Sequence, residues 1–338
     1  MSYPLLDVFK GVKTPVRPVW LMRQAGRVLP EYRRLRSKYK DFKTLLKTPE
    51  LAAEISLQPI SRWGVDGTIL FSDILVLAEA MGSPYEFLED RGPYFPEPIT
   101  NPQVFSKLRE VDVETDLSYV LETLRLLRIS SPVPVIGFSA APWTLFAYMT
   151  EGMGTKTFSR ARSIFYSQPD FSKKFLDLLT TNIISYLRAQ IEAGAQVLQI
   201  FDSLAGFLPP SIYKMYILPH IHLIVESLVS FGVPLIFFPK GLYSLWDEMG
   251  SLSVGGVGLD WQVSPQEVIP KLSGKVLQGN MDPALLYGSQ DRIRKETHNM
   301  LDSFCGVPHI VNLGHGLYPD TDWTHVSSFV KSVREYSS

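Results

Sequence analysis

The 338-residue sequence predicts an α/β protein in which one parallel sheet closes into a (β/α)8 TIM barrel. Short apolar runs alternate with longer helical patterns eight times, and no change of composition separates the repeats. Polar or charged residues follow these runs, as they do in barrels, where the C-terminal ends of the strands carry the active site. We therefore expect one domain over residues 1–338, with its site at that end of the sheet.

The predicted strands are short runs rich in β-branched and aromatic residues, typical of buried strands. They are residues 19–22, 66–71, 133–138, 197–201, 233–238, 254–259, 275–278 and 309–313. Between the strands, Thr48-Pro49-Glu50 predicts a helix start, and Gly194 ends a periodic helix over 171–193. Residues 81–98 are rich in glycine and proline and predict a long excursion within the domain. The last helix is expected from about residue 321.

The first predicted strand runs into a loop that carries Arg23 and Arg27. The small residues Ala25 and Gly26 between them allow a ligand to approach the backbone closely. Guanidinium groups are planar, permanently charged and matched to carboxylate or phosphate, so this pair indicates an anionic ligand. Ordinary surface ion pairs are the alternative, and the buried strand before the loop favours the ligand site.

Charge is distributed unevenly along the chain. The formal net charge is −1 and the isoelectric point is near 6.6, yet residues 23–47 contain nine basic residues and two acidic ones. This local excess predicts an anionic partner. The overall charge and the absence of a nucleic-acid-binding module argue against nucleic acid and favour a small polyanion. A solvated helix face accounts for part of the excess, namely Arg33, Arg34, Lys38 and Lys40.

Several functional classes are excluded or disfavoured by what the sequence lacks. The single cysteine, Cys305, excludes an intrachain disulfide and a thiolate-rich metal site. No apolar run approaches a membrane span and no secretory signal is recognisable, so we expect a cytoplasmic protein. There is no phosphate-binding loop, dinucleotide fingerprint or nucleophilic serine elbow. His220 and His222 do not share a helix face, so a metal pair is not expected.

Candidate site residues follow the predicted strands and are expected to converge on one mouth. Three of them have structural alternatives: Asp73 as a helix N-cap, Ser203 as a turn-capping hydroxyl and His315 as a loop histidine. The full set is Arg23, Arg27, Asp73, Tyr148, Ser203, Lys240, Asp260, Asn280 and His315.

Seven sequence blocks, in the expected order, resemble the uroporphyrinogen decarboxylase family. The most specific is Met22-Arg23-Gln24-Ala25-Gly26-Arg27 with Leu29-Pro30-Glu31-Tyr32. The others are Phe71-Ser72-Asp73-Ile74-Leu75, Ala141-Pro142-Trp143-Thr144-Leu145 with Tyr148, Phe201-Asp202-Ser203, Gly258-Leu259-Asp260-Trp261, Gln278-Gly279-Asn280-Met281-Asp282-Pro283 and Asn312-Leu313-Gly314-His315-Gly316. The resemblance spans essentially the whole chain. Val28 and Leu204 depart from it at positions where the family often has aromatic or other larger side chains.

The resemblance implies a distorted TIM barrel, a homodimer, and no cofactor or metal. It also implies conversion of the four acetate side chains of uroporphyrinogen III to methyl groups, giving coproporphyrinogen III and carbon dioxide in haem biosynthesis. By resemblance, Asp73 and Arg23 are catalytic. The substrate would contact Arg23, Gln24, Ala25, Gly26, Arg27, Asp73, Tyr148, Ser203 and His315, with backbone N–H groups of Gln24 to Gly26 as additional donors.

Two other functions remain open from the sequence. Zinc-dependent methyltransferases that act on corrinoids or thiols resemble this fold, but they need a histidine and cysteine metal set that Cys305 alone does not supply. A barrel that binds and carries tetrapyrroles without changing them is the second alternative. A lone aspartate at the mouth disfavours the carrier, because a carboxylate repels a polyanion.

Overall fold

The computed structural model describes residues 2–12, 14–39, 41–88 and 92–336, so the expectation for Lys40 lies outside the described residues. Within them the strands are β1 (Thr68–Ile69), β2 (Glu86–Leu88), β3 (Gly92–Tyr94), β4 (Val135–Ala140), β5 (Val197–Asp202), β6 (Leu235–Pro239), β7 (Gly256–Gly258), β8 (Val276–Met281) and β9 (His309–Leu313).

Helices cover most of the connections between these strands. They are α1 (Pro4–Asp7), α2 (Pro30–Lys38), α3 (Phe42–Lys47), α4 (Pro49–Trp63), α5 (Val76–Ala80), α6 (Pro102–Phe105), α7 (Val113–Asp116), α8 (Ser118–Ser130), α9 (Pro142–Glu151), α10 (Ser159–Ser167), α11 (Pro169–Glu192), α12 (Pro210–Ile212), α13 (Leu218–Leu228), α14 (Trp246–Ser251), α15 (Pro265–Val268), α16 (Gln290–Ser303) and α17 (Trp323–Glu335). Four short 3-10 turns (Val8–Lys10, Ala205–Phe207, Val229–Phe231, Pro283–Tyr287) and one π turn (Tyr213–Ile217) complete the described helical structure.

Seven strands form one curled parallel sheet in the order β1-β4-β5-β6-β7-β8-β9. The chain returns through helices after each strand, as parallel pairing requires. All six residues of β4 and of β8 are buried, as expected for a sheet covered on both faces. The predicted α/β barrel class is confirmed, with strands of uneven length.

The first predicted strand is wrong in extent. Only Val19 pairs, in a parallel bridge to Val311 of β9. On the other side, the Asp66 N–H donates to the Val19 carbonyl at 2.7 Å, so this segment connects β9 to the residues before β1. The strand stops there because the next backbone N–H groups bond to side chains instead of to a neighbouring strand. The Leu21 N–H donates to the Gln24 side chain and the Met22 N–H to the Asn312 side chain, both at 3.0 Å.

Other segments also differ from the sequence-based expectation. The strands predicted over 66–71 and 254–259 are shorter in the structure, at Thr68–Ile69 and Gly256–Gly258. The excursion after β1 contains the antiparallel β2–β3 hairpin, in which Phe87 pairs with Pro93. Strand β8 is longer than predicted and includes Asn280, which pairs with Asn312. Asn280 is therefore a buried strand residue, and its side chain donates to the carbonyls of Asp260 and Val263 at 2.9 and 2.8 Å.

The predicted helices over 171–193 and after Thr48 are confirmed as α11 and α4. The last helix begins at Trp323, two residues later than expected, after Asp322 caps its first turn. No helix in the described part of the chain is long and apolar enough to cross a membrane.

Candidate active site

The loop that follows the Val19 bridge is held in place by buried polar contacts. Gln24 is fully buried; its Oε1 accepts the Leu21 N–H at 3.0 Å and its Nε2 donates to the Gly67 carbonyl at 2.9 Å. Its backbone N–H donates to the Leu21 carbonyl at 3.0 Å. Gln24 therefore fixes the shape of the loop, and the structure does not offer its N–H to a ligand.

Arg23 has a backbone conformation that is unusual for a residue with a side chain. Its φ is +62°, in the left-handed region that costs non-glycine residues free energy and is enriched at functional sites. The side chain passes directly over Gly316: a Cβ built on that glycine would lie 2.4 Å from the Arg23 Cδ. Gly316 thus leaves the space that the arginine occupies.

Arg27 is exposed, like Arg23, and lies at the same loop. Its backbone carbonyl and that of Val28 accept hydrogen bonds from the Arg33 guanidinium at 2.9 and 3.1 Å. Within the described ranges, neither Arg23 nor Arg27 forms an ion pair with an acidic side chain. Both guanidinium groups are therefore available to an external anion.

A cavity of about 490 Å³ opens at the C-terminal end of the parallel sheet. Its walls come from the first loop, the residues after β1, the β2–β3 hairpin, helix α9, the end of β5 and the loop after β9. The predicted site residues that line it are Arg23, Ala25, Gly26, Arg27, Asp73, Tyr148, Ser203 and His315.

Four predicted residues do not line the cavity. Gln24 braces the loop, and Asn280 is committed to buried carbonyls. Asp260 is buried and accepts the N–H groups of Gly241 and Gln262 at 2.7 and 2.9 Å. Lys240 places its Nζ 5.4 Å from the centre of the Trp261 ring. The expected convergence on one mouth therefore holds for the other candidates but not for Lys240, Asp260 and Asn280, and Gln24, expected by resemblance to contact substrate, does not line the cavity.

Asp73 is the only acidic side chain among the described residues that line the cavity. Its Oδ1 accepts the Leu75 N–H at 2.8 Å, just before α5, so the turn-forming alternative is also present. The backbone that leads to it is fixed by Ser56 of α4, whose Oγ accepts the Phe71 N–H at 2.8 Å. Burial raises the pKa of Asp73, and the Leu75 N–H, Tyr85, Arg23 and Lys43 oppose that rise.

Tyr148 and Ser203 enter the cavity from two elements that a buried aspartate joins. Asp202, at the end of β5, accepts hydrogen bonds from Thr144 Oγ1 and from the Tyr213 hydroxyl, each at 2.7 Å. Thr144 lies one turn before Tyr148 on α9, so Asp202 fixes this helix relative to Ser203. Burial raises the pKa of Asp202 to about 6. The Ser203 hydroxyl makes no hydrogen bond to another described residue and is free to bind a ligand.

His315 lies between two glycines after β9 and packs edge-on against Trp261, with ring centres 6.1 Å apart. Burial lowers the pKa of His315 to about 3, and the nearby Arg23 and Lys240 charges contribute. The imidazole is therefore neutral near pH 7 and can donate or accept a hydrogen bond. A carboxylate bound beside it would raise that pKa.

The sequence interpretation missed an aromatic wall on one side of the cavity. The rings of Tyr32 and Phe71 are 5.7 Å apart, Phe42 lies 5.8 Å from Phe71, and Phe87 of the hairpin lies 4.9 Å from Phe42. All four residues line the cavity. The available signal was Phe71, which lies two residues before Asp73 in the same strand-end block.

Two arginines at the cavity entrance, one interior carboxylate and an aromatic wall suit a ligand with an apolar body and several anionic arms. Together with the parallel barrel, they define an enzyme of the TIM-barrel class with its site at the C-terminal ends of the strands.

Comparison with known proteins then identifies the family. Residues 2–336 match the uroporphyrinogen decarboxylase family. The uroporphyrinogen decarboxylase of Salinibacter ruber is 43% identical, with 99% of this chain and 98% of the relative covered. That of Hydrogenovibrio crunogenus is also 43% identical, covering 96% and 95%. The chain therefore belongs to the uroporphyrinogen decarboxylase family, and the predicted carboxy-lyase of porphyrin biosynthesis is confirmed.

A solved structure described as a methyltransferase from Methanosarcina mazei has the same fold. It superimposes with a TM-score of 0.79 at 22% identity, and the match covers 98% of this chain and 97% of that one. This likeness concerns the barrel alone. Within the described residues, no group of three or more histidine, cysteine, aspartate or glutamate side chains is placed to hold a metal ion.

Proposed function

We propose that this protein removes the carboxyl groups of all four acetate arms of uroporphyrinogen III, giving coproporphyrinogen III and four molecules of carbon dioxide. The observation that carries the proposal is a cavity in which, among the described residues, Asp73 is the single carboxylate and the two arginines at the entrance have no acidic partner. The eight carboxylates of the substrate match the cationic entrance. Its pyrrole rings match the wall formed by Tyr32, Phe42, Phe71 and Phe87.

The reacting pyrrole serves as the electron sink in this proposal. Protonation of a pyrrole α-carbon makes the ring cationic. The bond between the acetate methylene and its carboxylate then breaks, carbon dioxide leaves, and the electron pair forms an exocyclic alkene on the neutral ring. Protonation of that methylene carbon gives the methyl group, and loss of the first proton from the α-carbon restores the pyrrole.

Asp73 stabilises the ring cation as it forms. A carboxylate held in place by the Leu75 N–H accepts hydrogen bonds from pyrrole N–H groups without reorganising. The cation gains more from this negative charge than the neutral ring does, so the interaction lowers the barrier rather than merely binding substrate.

The other cavity residues bind and orient the arms. Arg23 and Arg27 bind carboxylates, and Arg23 also lies on the Asp73 side, since its charge affects the pKa of Asp73. Tyr148, Ser203 and His315 donate hydrogen bonds to acetate or propionate oxygens. Ala25 and Gly26 supply close backbone contacts. Gln24 supports the loop, so its predicted contact with substrate is not retained.

We also propose that no cofactor is needed, that the working form is a homodimer, and that the enzyme acts in the cytoplasm. The reaction as written needs no oxidant, reductant or added electron sink. Its cofactor independence is tested by activity after exhaustive chelation and dialysis, and the dimer by light scattering of the purified chain.

The activity is tested by anaerobic incubation with chemically reduced uroporphyrin III, oxidation, and chromatographic separation by number of carboxylates. We expect the octacarboxylate to pass through seven, six and five carboxylates to four. Tight binding with complete recovery of the octacarboxylate would instead support a carrier.

A further inference from the structure

Beside Asp73, and not among the residues that line the cavity, lies a tyrosine that the proposed reaction does not use. Tyr85 is 1% exposed, and its hydroxyl is buried beside the Asp73 carboxylate. The hydroxyl makes no regular hydrogen bond to any other described residue. A buried hydroxyl without a regular partner costs stability, so its presence beside the proposed catalytic carboxylate calls for a functional explanation.

A half-buried cation, Lys43, holds this tyrosine in place. The Lys43 Nζ donates to the Tyr85 carbonyl at 2.5 Å and lies 4.2 Å from the centre of its ring. The same Nζ pairs with Glu79 of α5 at 2.6 Å. Lys43 therefore joins three segments that surround Asp73: helix α3, helix α5 and the chain before β2.

The aromatic neighbours of Tyr85 position the ring independently of its hydroxyl. Phe87 and Phe95 lie 5.4 and 5.7 Å from it, centre to centre. Removing the hydroxyl alone therefore leaves the packing of the ring intact. The hydroxyl is free to turn towards the carboxylate, where an O–H donor stabilises the charged form.

We propose that Tyr85 is a positioning residue for Asp73, that its hydroxyl donates to the Asp73 carboxylate during the reaction, and that Lys43 holds it there. This inference rests on the role proposed for Asp73. In this unit, the Tyr85 hydroxyl supports the Asp73 carboxylate directly, and Lys43 supports Tyr85.

The ionisable groups that the structure places around Asp73 come from seven segments. They are Arg23 of the first loop, Lys43 of α3, Glu79 of α5, Tyr85, Tyr119 of α8, Tyr148 of α9 and Tyr186 of α11. Among the tyrosines, only Tyr85 acts on the pKa of Asp73 as a hydrogen-bond donor. Tyr186 resembles it in being buried with an unpartnered hydroxyl, which makes it a matched control.

The test is the pH profile of kcat and kcat/KM for Tyr85→Phe beside Tyr186→Phe, with thermal unfolding of each variant. For Tyr85→Phe we expect kcat to fall roughly tenfold and the acidic limb to move up by roughly one pH unit, because the carboxylate loses a donor to its charged form. KM stays the same. Tyr186→Phe keeps the wild-type profile. The carboxylates of the substrate titrate identically in every assay, so a difference between variants belongs to the enzyme.

Lys43→Met and Lys47→Met form a second matched pair, since both lysines contact Glu79, at 2.6 and 3.3 Å. Only Lys43 also holds Tyr85. We expect Lys43→Met to move the acidic limb in the same direction as Tyr85→Phe. Lys43 acts on Asp73 both through Tyr85 and through its own charge, so the double variant is expected to shift the limb by less than the sum of the two single shifts. Lys47→Met leaves the limb in place.

A purely structural Tyr85 predicts the opposite result: loss of an unpartnered buried hydroxyl leaves activity unchanged and stability unchanged or improved. Superimposable profiles for Tyr85→Phe, Tyr186→Phe and the unchanged chain would overturn the inference. Asp73→Asn distinguishes failure of this inference from failure of the role proposed for Asp73. If it is inactive while the Tyr85→Phe profile is unchanged, only this inference fails; if it is fully active, the role of Asp73 fails first.

Discussion

Gly316→Ala is a small substitution from which the structure predicts a large loss of activity. The new Cβ would lie 2.4, 2.6 and 2.9 Å from Cδ, Cγ and Nε of Arg23, closer than non-bonded atoms approach. Gly316 has no left-handed backbone conformation to lose, so the strain falls on the arginine side chain. Arg23 must leave its present position, and the chain is expected to fold normally.

The magnitude follows from the interaction that Arg23 provides. A charge-assisted hydrogen bond to a substrate carboxylate contributes about 1.5 to 3 kcal/mol, which corresponds to a roughly tenfold to hundredfold loss of kcat/KM. The measurement is the initial rate of anaerobic uroporphyrinogen decarboxylation over a range of substrate concentrations. Thermal unfolding, measured in parallel, is expected to change little.

A double-mutant cycle with Arg23→Met tests the cause. If Gly316→Ala acts by displacing Arg23, the double variant is no slower than Arg23→Met alone. Additive losses would show that the methyl group harms the site by another route. A Gly316→Ala enzyme with wild-type kcat/KM, together with a severely impaired Arg23→Met, would refute the packing argument.

Two further predictions concern buried polar groups that support the site. Burial raises the pKa of Asp202 to about 6, above the value of about 3.9 in an unfolded chain, so the folded state binds the proton more tightly. The free energy of unfolding therefore falls as the pH rises from about 4 to about 6. Asp202→Asn removes this pH-dependent loss of stability, which amounts to about 3 kcal/mol across that range. The measurement is urea unfolding of both proteins at several pH values, and the same pH dependence in both would contradict the reasoning. Gln24→Leu leaves the Leu21 N–H and the Gly67 carbonyl without buried partners and is expected to cost roughly 2 to 4 kcal/mol, measured by urea unfolding; an unchanged midpoint would show that Gln24 does not brace the loop.

The sequence predicted the barrel strands because continuous burial leaves a local signal. Strand β9 has the predicted bounds, and β4 and β5 differ from prediction by one or two residues at their ends. The same local signal does not show that pairing of the first predicted strand is confined to Val19. Its length depends on Gln24 and Asn312, whose side chains replace ladder hydrogen bonds, and one of these is about 290 residues away in sequence.

The charged half of the cavity was also predictable, because charged and polar residues that follow buried strands meet at one end of a parallel barrel. The same rule misplaced Lys240, Asp260 and Asn280, since position after a strand does not show where a side chain points. The aromatic wall and the Lys43–Tyr85 support combine helices α2 and α3, the residues after β1, and the hairpin with the residue before it. Their positions depend on tertiary packing between segments that have no common sequence pattern.

The role of Asp73 is the central claim, and its most direct test is a comparison of Asp73→Asn with the unchanged protein under anaerobic conditions. Substrate binding and kcat are measured separately, by titration and by single-turnover product analysis. A neutral amide of the same size fills the same space but does not stabilise the ring cation. We expect affinity for uroporphyrinogen to be kept and turnover to be almost abolished, with no product of seven carboxylates. Turnover equal to that of the unchanged protein would contradict the account.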